Sequence, residues 1–81
     1  MPVDHAKVLQ LAASGAWDAA HQMVRAHDDT LSCWMHGYLH RLEGDLSNAR
    51  YWYGRAGRDM PDNSLEQELR LLSDWINCSA R

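Results

Sequence analysis

One segment constrains this chain more than any other. Leu31, Trp34, Met35, Tyr38, Leu39 and Leu42 fall at i, i+3, i+4, i+7, i+8 and i+11. That spacing gathers large apolar side chains on one broad face of an α-helix, whereas a strand would send alternate residues to opposite sides. A face this wide is unstable in water, so the rest of the chain has to supply helices that cover it.

The flanking sequence does so. Asp4 is placed to cap a first helix that turns Val8, Leu11 and Ala12 inward and ends at Gly15. A second helix is expected from about Ala16 to His27, with Trp17, Ala20 and Val24 on one stripe and Met23 beside it. The turn His27-Asp28-Asp29-Thr30 leaves Thr30 to cap the third helix, which Gly44 stops. Asp45 then caps a fourth helix lined by Leu46, Ala49, Tyr53 and Ala56, with Asn48 pairing back to the cap. Gly57 to Asn63 forms a break around Pro61, and Asn63 and Glu66 stand at capping-box spacing before a fifth helix. There Leu65, Leu69, Leu72 and Ile76 point inward, Trp75 flanks them, and Glu66, Glu68, Arg70 and Asp74 point outward. No stretch alternates apolar and polar residues over strand length. The reading is a single all-α domain over residues 1–81, with five short helices in stacked antiparallel hairpins.

At 81 residues the core is small, burying only about 60% of the unfolded chain's surface. No apolar run approaches the roughly 18 residues of a membrane span. The first residues lack the basic stretch and apolar block of a signal peptide, and two cysteines without an export signal imply reduced thiols, so a cytoplasmic protein is expected. Cys33 and Cys78 are both read as small buried apolar residues. A net charge of −3 argues against a general nucleic-acid binder, although residues 41–58 carry Arg41, Arg50, Arg55 and Arg58 against only Glu43 and Asp45.

A short internal repeat is present. Gly15, Trp17 and Ala20 return 29 residues later as Gly44, Leu46 and Ala49, each set at a helix-to-helix turn. With Gly37 at the small position of the first helix, Ala49, Tyr53 and Ala56 in the second and Pro61 closing the unit, residues 15–61 resemble about 1.5 tetratricopeptide repeats. His40, where that family carries an aromatic residue, is a departure. The resemblance implies a helical-hairpin fold in which the fifth helix acts as a C-terminal capping helix. The run from His36 to Arg58 also resembles a family of small uncharacterised proteins, which brings no mechanism. Repeat folds need about three units to hide their faces. The resemblance therefore implies a protein-interaction or scaffolding module that self-associates as a homodimer or holds a peptide, without a cofactor. The contact is expected on the fifth helix or on the Trp34/Tyr38 side of the third.

Two sets of residues carry chemistry. His36, His40 and Glu43 fall at i, i+4 and i+7, a stripe read as lying opposite the apolar face. Two imidazoles one turn apart chelate a divalent transition metal, and a carboxylate a turn further on is a third ligand. Gly37 stands where the zinc-protease motif has its glutamate, which excludes hydrolysis by that mechanism. His21, one turn after Trp17, adds a further ligand if the second helix packs so as to turn it toward the stripe. The bland alternative packs both imidazoles against a neighbouring helix, with Glu43 paired to an arginine. The second set is an arginine–aromatic face on the fourth helix. Tyr51, Arg55 and Arg58 project from it beside Trp52, a combination that binds carboxylates, phosphates or bases by forked hydrogen bonds and stacking, or else covers the fifth helix with Glu66, Glu68 and Asp74 as partners. The alternative to an interaction module is therefore a metal- or small-ligand-binding protein, an enzyme included, using these residues. Arg41 is expected to complete a turn network with Glu43 or Asp45.

Overall fold

The computed structural model describes residues 4–79, and they are helical with no strand. The elements are α1 (His5–Ala13), α2 (Trp17–Val24), α3 (Thr30–Glu43), α4 (Leu46–Arg55) and α5 (Leu65–Ser79). Helix α3 carries the broad apolar face and lies at the centre. It packs against all four other helices, while α1 also packs on α2 and α5. Every residue from Ser32 to His40 is buried, so α3 has no solvent-facing side over that stretch. The core around it contains Val8 from α1, Ala20 and Val24 from α2, Ala49 and Tyr53 from α4, and Leu72 from α5.

The sequence accounts for most of the punctuation. Asp4 accepts a hydrogen bond from the Lys7 amide and caps α1. Gly15 and Gly44 take φ of 87° and 86°, the left-handed backbone that ends α1 and α3. Asp45 caps α4 by accepting from the Asn48 amide. Gly37 serves a different purpose. A Cβ there would lie 3.2 Å from the Ala49 carbonyl oxygen and from the Tyr53 ring, so its bare backbone sets the close approach of α3 and α4.

Several local expectations shift. The cap of α3 is Asp29, whose carboxylate accepts from the Ser32 amide; Thr30 is the first helical residue. A carboxylate is the better acceptor there and complements the positive end of the helix dipole. Helix α2 ends at Val24, three residues short of His27. Leu46 opens α4 at 55% exposure, with no neighbour to cover it. The reciprocal capping box before α5 is Ser64 and Gln67, one residue beyond the expected pair: Ser64 N donates to Gln67 Oε1 and Gln67 N donates to Ser64 Oγ. Asn63 is committed elsewhere, to Arg41. Cys33 is buried as expected, but Cys78 is exposed. No helix among the described residues is long and apolar enough to cross a membrane.

Candidate functional site

Because α3 is covered on every side, its polar residues are forced into contact with other helices. His36 and His40, one turn apart on α3, are 4% and 6% exposed, so the stripe does not lie on an open face. Helix α2 brings His21 against them. Its Nε2 lies 3.0 Å from His36 Nε2, and in the neutral pair one nitrogen donates to the other. The three rings form a compact set, with centroids 4.7 Å (His21–His36), 4.9 Å (His36–His40) and 5.2 Å (His21–His40) apart. One ligand nitrogen from each lies within 4.8 Å of the other two.

Tryptophans clamp the set. Trp17 stacks on His21 and donates its indole N–H to the Leu39 carbonyl, 2.6 Å away, which locks α2 onto α3. Trp52 of α4 stacks on His36 with a centroid separation of 3.8 Å. Glu43 does not pair with an arginine. Its Oε1 lies 2.6 Å from His40 Nδ1, leaving Nε2 as the free ring nitrogen. His36 Nδ1, in contrast, is buried with no hydrogen-bond partner among the described residues. Burial first, and then the neighbouring His21 and His40, lower the pKa of His36 to about 4. Burial followed by His40 lowers that of His21. Both imidazoles are therefore neutral at pH 7, the form that ligates metal.

The expected arginine–aromatic face divides in two. Arg55 stays on α4, lying over the Trp52 ring at 5.3 Å and donating to the Tyr51 hydroxyl at 3.2 Å. Arg58 lies beyond the end of α4 and stacks on Trp34, 3.7 Å from the ring centroid. Trp34 and Tyr38 are themselves each only 4% exposed, so that side of α3 is core and not a contact surface. Its position at the centre of the bundle leaves no other outcome.

Glu68 was expected to face outward and is 2% exposed. Its Oε2 accepts from Trp34 Nε1 at 3.0 Å and from the Tyr53 hydroxyl at 2.5 Å, and its Oε1 accepts from Arg41 at 2.8 Å. Arg41 also donates to the Asn63 side chain and carbonyl, so it turns toward α5 and away from Glu43 and Asp45. Burial, and then the bond to Glu68, raise the Tyr53 pKa far above that of an ordinary phenol. The signal for this cluster was present in the sequence. Glu68 falls three residues after Leu65 and four before Leu72, on the inward stripe of α5. Trp34 and Tyr53 are also polar-tipped aromatics that need a partner once buried.

No protein-family model, curated protein or solved structure matches the chain. The resemblance to tetratricopeptide repeats therefore stands on its residues alone.

Proposed function

We propose that this protein binds a divalent transition metal of the zinc class through His21, His36 and His40, with Glu43 orienting His40 from behind. The convergence of three imidazoles from two helices carries the reading. Tetrahedral bonds of about 2.0–2.1 Å place ligand nitrogens about 3.3 Å apart. The His21–His36 pair, at 3.0 Å, is already close to that spacing. Bringing all three nitrogens onto one ion takes movements on the order of 1 Å from their present spread.

Three further observations support it. A carboxylate on the rear nitrogen of a ligating histidine fixes its tautomer and raises its basicity, and Glu43 holds that place on His40. Burial holds His36 well below the ordinary imidazole pKa, at about 4, so the Nε2 that faces His21 is not competing with a second proton at neutral pH. The half-buried His21 and the exposed Glu43 put the cluster at the edge of the core, where an ion has a route in. Three protein ligands are the number found in zinc sites that keep a fourth place for water or an external ligand.

The test is titration of chelator-stripped, folded protein with Zn²⁺ and with Co²⁺, whose visible absorption reports tetrahedral nitrogen ligation. One ion per chain is expected, lost in His21→Ala, His36→Ala and His40→Ala while the helical circular dichroism persists. A stripped, folded protein that takes up no ion, or variants that bind as well as the parent, would overturn it. A second reading, an interaction module that self-associates, has its support on another surface, in exposed Leu71 and Trp75 on α5.

A further inference from the structure

Helix α5 buries one side and leaves the other largely exposed, although Trp75 also meets the Trp34 ring edge-on, with centroids 5.9 Å apart. Leu69, Leu72 and Ile76 pack against the core, while Leu71 and Trp75, one turn apart, remain 49% and 54% exposed. They are two of the four large exposed apolar side chains among the described residues, and they form one stripe. Beside Leu71 is an open hollow of about 320 Å³ lined by Asn63, Gln67, Arg70, Leu71 and Asp74. Arg70 and Asp74 border the same flank of the stripe, one turn apart, and neither makes an ion pair among the described residues.

We infer that this stripe is a homodimer interface, in which α5 packs antiparallel on α5 of a second copy about a two-fold axis near Leu72–Ser73. The self-complementarity of the surface selects this occupant. An antiparallel pair matches each flank with the same flank of its partner, reversed in direction. Reversal about this axis sets Arg70 of one copy against Asp74 of the other, and the reciprocal pair forms by symmetry. The same operation lays Trp75 over Leu71 and its hollow, again twice. A parallel pairing would set this flank against the opposite flank of the partner, leaving Arg70 and Asp74 on the two outer sides of the seam with no reciprocal ion pair. An exposed tryptophan beside a hollow is the kind of anchor that dominates interface energetics. The surface lies on α5, apart from the histidine cluster of α2 and α3, so the two proposals succeed or fail separately.

The test is sedimentation equilibrium of the full chain from micromolar to millimolar concentration, with four comparisons. The parent is expected to dimerise. Arg70→Glu, at an exposed position that leaves the fold intact, should weaken dimerisation by about tenfold or more by opposing two acids. The double exchange Arg70→Glu with Asp74→Arg should restore it to within about threefold, because each salt bridge re-forms with its sense reversed. Trp75→Glu should leave a monomer with unchanged circular dichroism. Spin labels on exposed Cys78 distinguish the orientations. The antiparallel register separates the two positions by about 16 Å along the helix axes, whereas a parallel pair brings them side by side. A chain that stays monomeric throughout overturns the inference and leaves the stripe to a different protein. So does a dimer indifferent to both Arg70→Glu and Trp75→Glu, or one in which the Cys78 labels touch.

Discussion

Two polar clusters are buried in this small core, and they are built in opposite ways. Around Glu68 the hydrogen bonding is closed: both carboxylate oxygens accept, and the indole of Trp34, the hydroxyl of Tyr53 and the guanidinium of Arg41 all donate into it. Around His36 it is open: one ring nitrogen each from His21, His36 and His40 converges, and the Nδ1 of His36 has no partner among the described residues. Both interrupt apolar surface, and both involve a tryptophan. A satisfied network fixes geometry and has no capacity left for a ligand. An unsatisfied one costs stability in the folded chain and retains the lone pairs that a metal needs. Completeness of the bonding, not burial, separates the structural cluster from the candidate site.

The contrast breaks most sharply at Glu68. Glu68→Ala strands Arg41 in a nearly buried position and leaves two aromatic donors without an acceptor, a loss of about 3–5 kcal/mol. Against the about 5–15 kcal/mol of a typical domain this is a large share, so the expected outcome in chemical denaturation is a midpoint far below that of the parent. A midpoint within experimental error of the parent would show that the cluster is not structural.

Acid should act on the other cluster. The pKa of His36 in the fold is about 4, below the usual imidazole value of 6.5, so the unfolded chain takes up the proton first. The stability this provides is complete above about pH 6.5 and is lost progressively as pH falls toward 4, by about 3 kcal/mol in total. His21, shifted in the same direction, adds to the effect. Thermal melts of the chelator-treated protein across that window measure it, and His36→Leu should flatten the slope.

Metal sharpens the comparison further. At an ion concentration about 100 times its dissociation constant, stability should rise by about 2.7 kcal/mol. His36→Leu removes that gain but leaves the apo protein as stable as the parent or more so, because an unpartnered nitrogen goes with it. A Glu68 variant that still folds should show the opposite pattern, with lower apo stability and the metal-dependent gain retained.

A smaller effect is expected where the two clusters share a backbone contact. Gly37→Ala places a methyl 3.2 Å from the Ala49 carbonyl oxygen and must push α4 back by a few tenths of an ångström. Overpacking of this kind costs about 1–3 kcal/mol, offset by about 1 kcal/mol of helix propensity, so a modest fall in melting temperature is expected. The smallest belongs to Arg55→Ala. That side chain is exposed over Trp52 and Tyr51, and its removal should leave the melting curve unchanged.

Much of this architecture was legible in the order of residues. The stripe from Leu31 to Leu42 required a central helix, and Gly15, Gly44, Asp4 and Asp45 marked ends that the structure keeps. His21 was a conditional addition to the histidine stripe, and the packing of α2 on α3 is what brings it there. Other features were not legible. Period told which face of α3 is apolar, but left open whether the opposite face, with His36 and His40, would be exposed for a metal or packed against a neighbouring helix; the structure packs it. Trp34 and Tyr38 were read as contact residues because so few repeat units were expected to leave apolar surface over, whereas the other helices cover them. Glu68 was assigned by its charge to solvent although its position lay on the inward stripe.

What the sequence determined by itself was local: helix periods, turn glycines and caps act within a few residues and are decided by backbone sterics and short-range hydrogen bonds. What only the tertiary structure decided was which polar groups would meet. Arg41 finds Glu68 across 27 residues, and His21 finds His36 across 15. The energy of a buried polar group depends on its partners, and those partners come from other helices once the chain has closed around α3.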